Sequence, residues 1–374
     1  MKILYVTTIS NTVNAFLIPH IKLLVEQGHQ VEVAFNVVQD VSPDLIELGI
    51  KIHNVDFQRS PLQKGNLLAY KKIQHLVMEE GFELVHTHTP IASFITRMAC
   101  RNTPNTKILY TAHGFHFYKG APFKNWLIYY SMERVAAKYT DAIITINQED
   151  YIEAQKLKLR IAKNIFKIHG VGIDIGKFID VDFNKKVRLR KEYEYSTDDF
   201  ILFYAAELNY NKHQDLLIDV VSILKDKIPN IKLLLAGEGP LTKKYIEQVD
   251  RLGLRNNIEF LGFRKDIPNL LKLSDIAVSA SRREGLPVNI MEAMATGLPI
   301  VLTDCRGNRD LVINNENGIL VDLEDKESFA NAIKKVFDSA SLRKNFSKRN
   351  LELINSYSID NVIKEMRLIY NNFL

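Results

Sequence analysis

Ser279-Ala280-Ser281-Arg282-Arg283-Glu284-Gly285-Leu286-Pro287-Val288-Asn289-Ile290-Met291-Glu292-Ala293-Met294-Ala295-Thr296-Gly297-Leu298-Pro299 carries several structural signals in one run. An apolar strand pattern at 276–279 leads into it, Pro287 suits the first helical position, Gly297 suits the position just past the helix end, and a second apolar run follows at 299–302. Strand, loop, helix and strand in that order make one unit of a parallel α/β sheet. In such units ligands gather beyond the carboxyl ends of the strands, where free N–H groups and the positive helix end favour phosphate oxygens. Glu284 then lies in the ligand-side loop and Glu292 inside the helix, while Gly285 lets the backbone approach a ligand closely.

The same alternation runs through the chain. Short apolar runs at 3–6, 31–35, 84–88, 107–110 and 142–146 read as buried strands separated by amphipathic stretches, and a second series follows at 200–205, 231–236, 258–261, 276–279, 299–302 and 318–321. The first helix keeps its spacing from Ala15 to Val25 and ends at Gly28. The periodicity breaks around Gly170-Val171-Gly172, and the polar stretch from Asp180 to Asp199 reads as a hinge. At 374 residues the chain exceeds one ordinary core. Two α/β domains are expected, at 1–172 and 173–357, with a last helix at 358–374 crossing back to the first and Ser358 as its cap.

Composition excludes several classes. Hydrophobic residues make up 46% and charged residues 25%, a globular balance. The net charge of +5 suits an anionic ligand or membrane surface, and no run of basic residues with interleaved aromatics reads as a nucleic-acid module. Two cysteines, Cys100 and Cys305, are too few for a disulfide scaffold and fit a reducing cytosol. The N-terminus turns polar at Thr7, too early for a signal peptide, and no apolar stretch approaches about 18 residues. The expectation is a cytoplasmic protein whose membrane contact is peripheral, with its oligomeric state left open.

The segment at 279–297 resembles the E-x7-E signature of glycosyltransferase family 4. The likeness extends to Leu234-Leu235-Ala236-Gly237-Glu238-Gly239-Pro240, Phe260-Leu261-Gly262-Phe263-Arg264 and Ser274-Asp275-Ile276, and is greatest to the bacterial capsule and exopolysaccharide branch of the CapM and EpsD type. The resemblance implies the GT-B fold, two facing Rossmann-like domains with a deep interdomain cleft, and a retaining transfer of a hexose or N-acetylated hexosamine from a UDP-sugar to a polyprenyl-diphosphate-linked saccharide. By the same resemblance Glu284 contacts the donor sugar and Glu292 the ribose hydroxyls, and Gly237, Gly239, Phe263, Arg264, Gly285, Leu286, Pro287 and Val288 line the donor. In Ala205-Ala206-Glu207-Leu208-Asn209-Tyr210-Asn211-Lys212-His213, Lys212 matches a family lysine that clamps the diphosphate, whereas Glu207 stands where many members carry Arg.

Tyr110-Thr111-Ala112-His113-Gly114-Phe115-His116 follows a strand and resembles the family's histidine loop, so His113 should face the donor sugar across the cleft. Lys212 and the helix start at Pro287 supply the charge stabilisation that departure of a diphosphate needs. No cofactor is expected. Nor is a metal, because Asp180-Val181-Asp182 lies in the presumed hinge rather than after a strand. The aromatic and basic segment from Phe117 to Arg134, with His116, Tyr118, Lys119, Lys124 and Trp126, suits a bilayer interface carrying the lipid-linked acceptor, at the inner face of the cell membrane. Ser10 and Asn11 are further acceptor candidates, with Asn11 as a helix cap the plainer alternative. Three other functions fit parts of the pattern: a UDP-sugar epimerase of the same fold, a nicotinamide-dependent oxidoreductase using the truncated Gly237-Glu238-Gly239 fingerprint, and a non-catalytic nucleotide-sugar binder.

Overall fold

The computed structural model describes residues 1–58, 60, 63–178 and 183–374. The backbone divides into two compact units, Met1–Gly172 with Ile359–Leu374, and Ile173–Ser358. Each is built on one parallel sheet.

In the first unit the strands are β1 (Lys2–Ile9), β2 (Gln30–Asn36), β3 (Lys51–Asn54), β4 (Leu84–His88), β5 (Lys107–Ala112), β6 (Ala142–Thr145) and β7 (Ile165–Lys167), in the order β3-β2-β1-β4-β5-β6-β7. The second unit holds β8 (Phe200–Ala205), β9 (Ile231–Ala236), β10 (Ile258–Gly262), β11 (Ile276–Ser279), β12 (Ile300–Thr303) and β13 (Gly318–Val321), in the order β10-β9-β8-β11-β12-β13. Both are doubly wound sheets. Their strand order reverses between β1 and β4 and between β8 and β11, so ligand crevices belong at the carboxyl ends of those strands. The central strands β1, β4 and β8 are buried along nearly their whole length, because helices cover both faces of a parallel sheet.

The structure adds β3 and β7 to the strands expected from sequence. Lys51-Ile52-His53-Asn54 is an edge strand with its ends in solvent, and β7 is three residues at the other edge. Neither presents a continuous apolar run. The presumed hinge also differs. Phe183–Glu192 is a helix held in the second unit by Lys186 and Arg190, which pair with Asp275 at 2.6 and 2.7 Å, while Arg190 donates to the carbonyls of Leu273, Thr197 and Asp199. Leu273 and Asp275 are distant in sequence, which is why the stretch read as loose and polar. Asp180-Val181-Asp182 lies outside the described residues.

The last helix, Ile359–Tyr370, buries Val362, Met366, Ile369 and Tyr370 in the first unit. Tyr370 bonds through its hydroxyl to that of Tyr5 and to His86 Nδ1, the latter at 2.7 Å, and Glu365 holds the His169 ring and backbone N–H. Gly172 has φ +80°, and a Cβ there would lie 2.8 Å from the Ile359 Cα, so the start of this helix packs against a position fitted to glycine.

Candidate functional site

The loops after β8 and β11 interlock. Arg282 N–H donates to the Asn211 carbonyl at 2.8 Å, Asn211 Nδ2 donates to the Arg283 carbonyl at 3.1 Å, and the Arg282 guanidinium donates to the Tyr210 carbonyl while lying 4.1 Å from the Tyr210 ring centroid. Beneath them the Tyr204 hydroxyl bonds Ser281 Oγ at 2.8 Å, and Thr303 Oγ1 donates to the Ser281 carbonyl at 2.6 Å. The consequence is one close pair at the crevice: Lys212 Nζ lies 2.5 Å from Glu284 Oε1, with both side chains mostly buried. Burial pulls the Lys212 pKa down, but the Glu284 carboxylate outweighs it, so the ammonium is held above its ordinary value and stays charged.

Helix Val288–Ala295 begins one residue later than sequence suggests. Pro287 is the cap, in extended backbone, because its own φ fits but its ψ of 111° does not continue the helix. Val288 and Asn289 are then the first helical residues, whose N–H groups have no partner inside the helix. Asn289 Nδ2 donates to the Ala205 carbonyl at 2.9 Å, which ties the helix start to the end of β8. Leu286 and Pro287 turn their side chains into the core, leaving Gly285 and the backbone at the surface of the crevice. Gly297, at φ +75°, ends the turn after the helix as expected.

Glu292 is the unusual group of this helix. Its carboxylate is largely buried, with no hydrogen-bond partner among the described residues, and burial raises its pKa to about 7, with Lys177 pulling weakly the other way. A buried carboxylate without a donor is costly.

Other residues named from sequence take different parts. Gly237 and Gly239 are required by backbone packing: a Cβ on them would lie 2.1 Å from the Ala206 carbonyl oxygen and 2.3 Å from that of Leu208. Phe263 is exposed. Arg264 forks onto the Asp266 carboxylate at 2.8 and 2.5 Å, which holds that carboxyl well below the usual range and already compensates the guanidinium charge. Glu207 is exposed and accepts from Asn209 Nδ2. Among the described residues no cluster of His, Cys, Asp or Glu has the geometry to hold a metal ion.

In the first unit His113 follows β5, with its Nε2 3.0 Å from His88 Nδ1 at the end of β4. Ser10 is fully buried. Its hydroxyl accepts from the N–H groups of Val38 and Gln39 and donates to the Gln39 carbonyl, which occupies the group expected to meet an acceptor. Asn11 does not cap the helix, since helical backbone starts at Ser10. The segment after His113 forms three consecutive helical pieces, Phe123–Asn125, Trp126–Tyr130 and Ser131–Ala137. Trp126 packs inward on Phe117 and Tyr130, at 5.5 and 5.8 Å between ring centroids, and His116 lies against Tyr129. The outward apolar residues are instead Phe123, 82% exposed, and Leu127, 63% exposed, beside the exposed Lys119 and Lys124; Tyr118 is half-buried. Phe123 and Leu127, four residues apart, share the outward face, while Trp126 is turned onto Phe117 and Tyr130.

Sequence reasoning missed two groups. His86 and His88 end β4 beside the strand reversal, a position that marks them once β4 is identified. Arg306 and Gly307 follow β12: Arg306 Nε donates to the Glu284 carbonyl at 2.9 Å, and Gly307, at φ +83°, comes so close that a Cβ would lie 2.6 Å from the Gly285 carbonyl oxygen. Both cysteines are buried and free, and no helix among the described residues is long and apolar enough to cross a membrane.

Comparison with known proteins places this geometry among relatives. The family described as glycosyl transferases group 1 matches residues 185–352, and a glycosyl transferase 4-like family matches residues 2–147. The putative glycosyltransferase EpsD of Bacillus subtilis (strain 168) is 38% identical over 100% of this chain and 97% of its own. A protein of Escherichia coli named UDP-Gal:alpha-D-GlcNAc-diphosphoundecaprenol alpha-1,3-galactosyltransferase is 29% identical over 79% of this chain and 76% of its own. The crystal structure of Anabaena Alr3699/HepE in complex with UDP superposes with a TM-score of 0.80 at 20% identity, covering 100% of both chains.

Proposed function

The chain belongs to the group 1 glycosyltransferases, retaining enzymes of glycosyltransferase family 4 with the GT-B fold, and from that premise we propose that it transfers a hexose or N-acetylated hexosamine from a UDP-sugar to a polyprenyl-diphosphate-linked saccharide in capsule, exopolysaccharide or O-antigen synthesis. The observation that carries this reading is the Lys212–Glu284 pair at the β8–β11 reversal, set beside the free N–H groups that open helix Val288–Ala295. A charged ammonium and a helix N-terminus converge where an anionic leaving group would sit.

Each part has a task. As the bond between the anomeric carbon and the diphosphate oxygen breaks, its electron pair passes to that oxygen, and Lys212 with the helix N–H groups stabilises the developing charge without a metal. Glu284 neutralises Lys212 before the donor arrives and accepts from sugar hydroxyls afterwards. Glu292 gains in the ribose hydroxyls the donors that the described residues do not give it, and the backbone from Gly285 to Val288 lines the sugar and diphosphate. The Gly237–Gly239 loop and Phe263 border the nucleotide, and His113 offers a hydrogen bond to a substrate oxygen. The name of the E. coli relative supports both the UDP-sugar donor and the lipid-linked acceptor, and the UDP complex of the Anabaena protein supports the donor.

The membrane surface consists of Phe123 and Leu127 with Lys119 and Lys124, a mixed apolar and basic face suited to an anionic bilayer at the inner leaflet. The test is a panel of UDP-sugars incubated with a polyprenyl-diphosphate-linked sugar. Transfer that disappears in Lys212→Ala and Glu284→Ala is expected; full activity in both variants sinks the site.

A further inference from the structure

Strands β4 and β5 lie side by side, with His88 opposite Thr111 in register, and both end at the crevice edge of the first sheet. His88 is 3% exposed, its ring stacked 5.3 Å from Tyr5 and 5.3 Å from His113, with His86 centred 4.3 Å away. Neighbouring histidines are otherwise engaged: His86 bonds Tyr370 and Thr111, and His20 Nε2 bonds the Val171 carbonyl. Burial pushes His113 down to about 4 and His88 well below its ordinary value, so both rings are neutral near pH 7.

Two neutral imidazoles 3.0 Å apart can share their hydrogen bond in only two ways. If His113 donates from Nε2, His88 must accept at Nδ1 and carry its own proton on Nε2. That atom is buried without any hydrogen-bond partner, and an orphaned buried N–H is the rarer and costlier defect compared with an under-used acceptor. If His88 donates from Nδ1, its Nε2 is left as a bare lone pair. Nδ1 of the half-buried His113, which has no protein partner among the described residues, then carries a proton.

We propose that His88 is a positioning residue: its Nδ1–H, donated to His113 Nε2, fixes His113 in the tautomer that presents Nδ1–H to an oxygen of the sugar-nucleotide or acceptor. His113 is thereby a hydrogen-bond donor that orients substrate, and it is unavailable as a base for the acceptor hydroxyl. The substrate class rests on the glycosyl-transfer reading above; the tautomer does not.

The test is two-bond 1H–15N correlation of the imidazole rings in the full chain at pH 7, with His113 assigned by the loss of its signals in His113→Asn. Expected is a protonated Nδ1 on His113 in the unmodified protein. His88→Asn, whose amide nitrogen stands near the lost Nδ1, keeps that tautomer, whereas His88→Asp, an acceptor only, drives His113 to the Nε2–H form. Turnover is expected to follow, with His88→Asn close to the unmodified enzyme and His88→Asp reduced by about 10²-fold, the scale of losing one aligned donor. A His113 found protonated on Nε2 in the unmodified protein, or Asn and Asp variants with the same tautomer and rate, overturns the proposal. If the rings behave as expected but no UDP-sugar is consumed, the glycosyl-transfer reading fails and the hydrogen-bond assignment stands.

Discussion

Replacing Glu292 with Gln should make the free protein more stable and the donor complex weaker. In the folded chain burial raises this carboxyl from 4.5 to about 7, and no donor among the described residues compensates it. The unfolded carboxyl ionises near its ordinary value, so between about pH 4.5 and 7 the folded state binds the extra proton, and stability falls as the pH rises. At 1.36 kcal/mol per unit, the full penalty above pH 7 is about 3 kcal/mol. Glu292→Gln removes it. Denaturant melts at pH 8 should show a gain of about 1–3 kcal/mol, the lower end allowing for desolvation of the amide, and melts at pH 4.5 should show little.

Donor binding moves in the opposite sense, because ribose hydroxyls donate best to the ionised carboxylate. A UDP-sugar is the suitable probe, since its diphosphate diester does not titrate in this range. With a pKa near 7 the ionised fraction rises from about a tenth at pH 6 to about nine tenths at pH 8, so affinity by calorimetry should rise about tenfold. Glu292→Gln should bind more weakly with a flat profile. The reasoning is refuted if the unmodified protein is flat between pH 6 and 8, or if the variant is no more stable than the parent at pH 8.

Lys212→Met keeps the length of the side chain but removes the charge beside Glu284, and turnover with saturating UDP-sugar should fall by about 10²- to 10³-fold; Lys212→Arg should recover part of it. Gly307→Ala places a methyl group against the Gly285 carbonyl at a backbone angle L residues avoid, so donor affinity by calorimetry should drop and the melting temperature should fall with it. For the membrane surface, Phe123→Glu with Leu127→Glu should abolish flotation with anionic liposomes, whereas Trp126→Leu should lower the melting temperature and leave flotation unchanged.

The six strands of the second sheet were legible because each is a compact apolar run between helical patterns, and the Glu284 loop because glycine and proline punctuate it. Edge strands β3 and β7 were not, since a strand with solvent on one side needs no continuous apolar run. Trp126 misled because composition gives a segment's character without its phase: the residues that face outward depend on where the helix begins and how widely it is wound. The partners of Glu284 were hidden for another reason. Arg306 and Gly307 reach it from the next strand end, and only sheet order brings the β11 and β12 loops together.

Equal topology does not give the two crevice edges equal chemistry. At the end of β8 and β11 a charged lysine is held by a carboxylate, beside a helix start with free N–H groups, an environment that favours an arriving anion. At the end of β4 and β5 the titratable groups are stacked histidines, and burial together with their mutual repulsion keeps them uncharged. A neutral edge has little to offer a diphosphate beyond oriented hydrogen bonds, which is what sugar hydroxyls require. The strand reversal therefore fixes where each unit can bind, and local burial decides which of two partners, an anion or a hydroxyl, each edge is fit to receive. Glu292 joins these two levels: burial keeps its carboxyl near neutrality with no hydrogen-bond donor among the described residues, and donors of that kind are what a ribose carries.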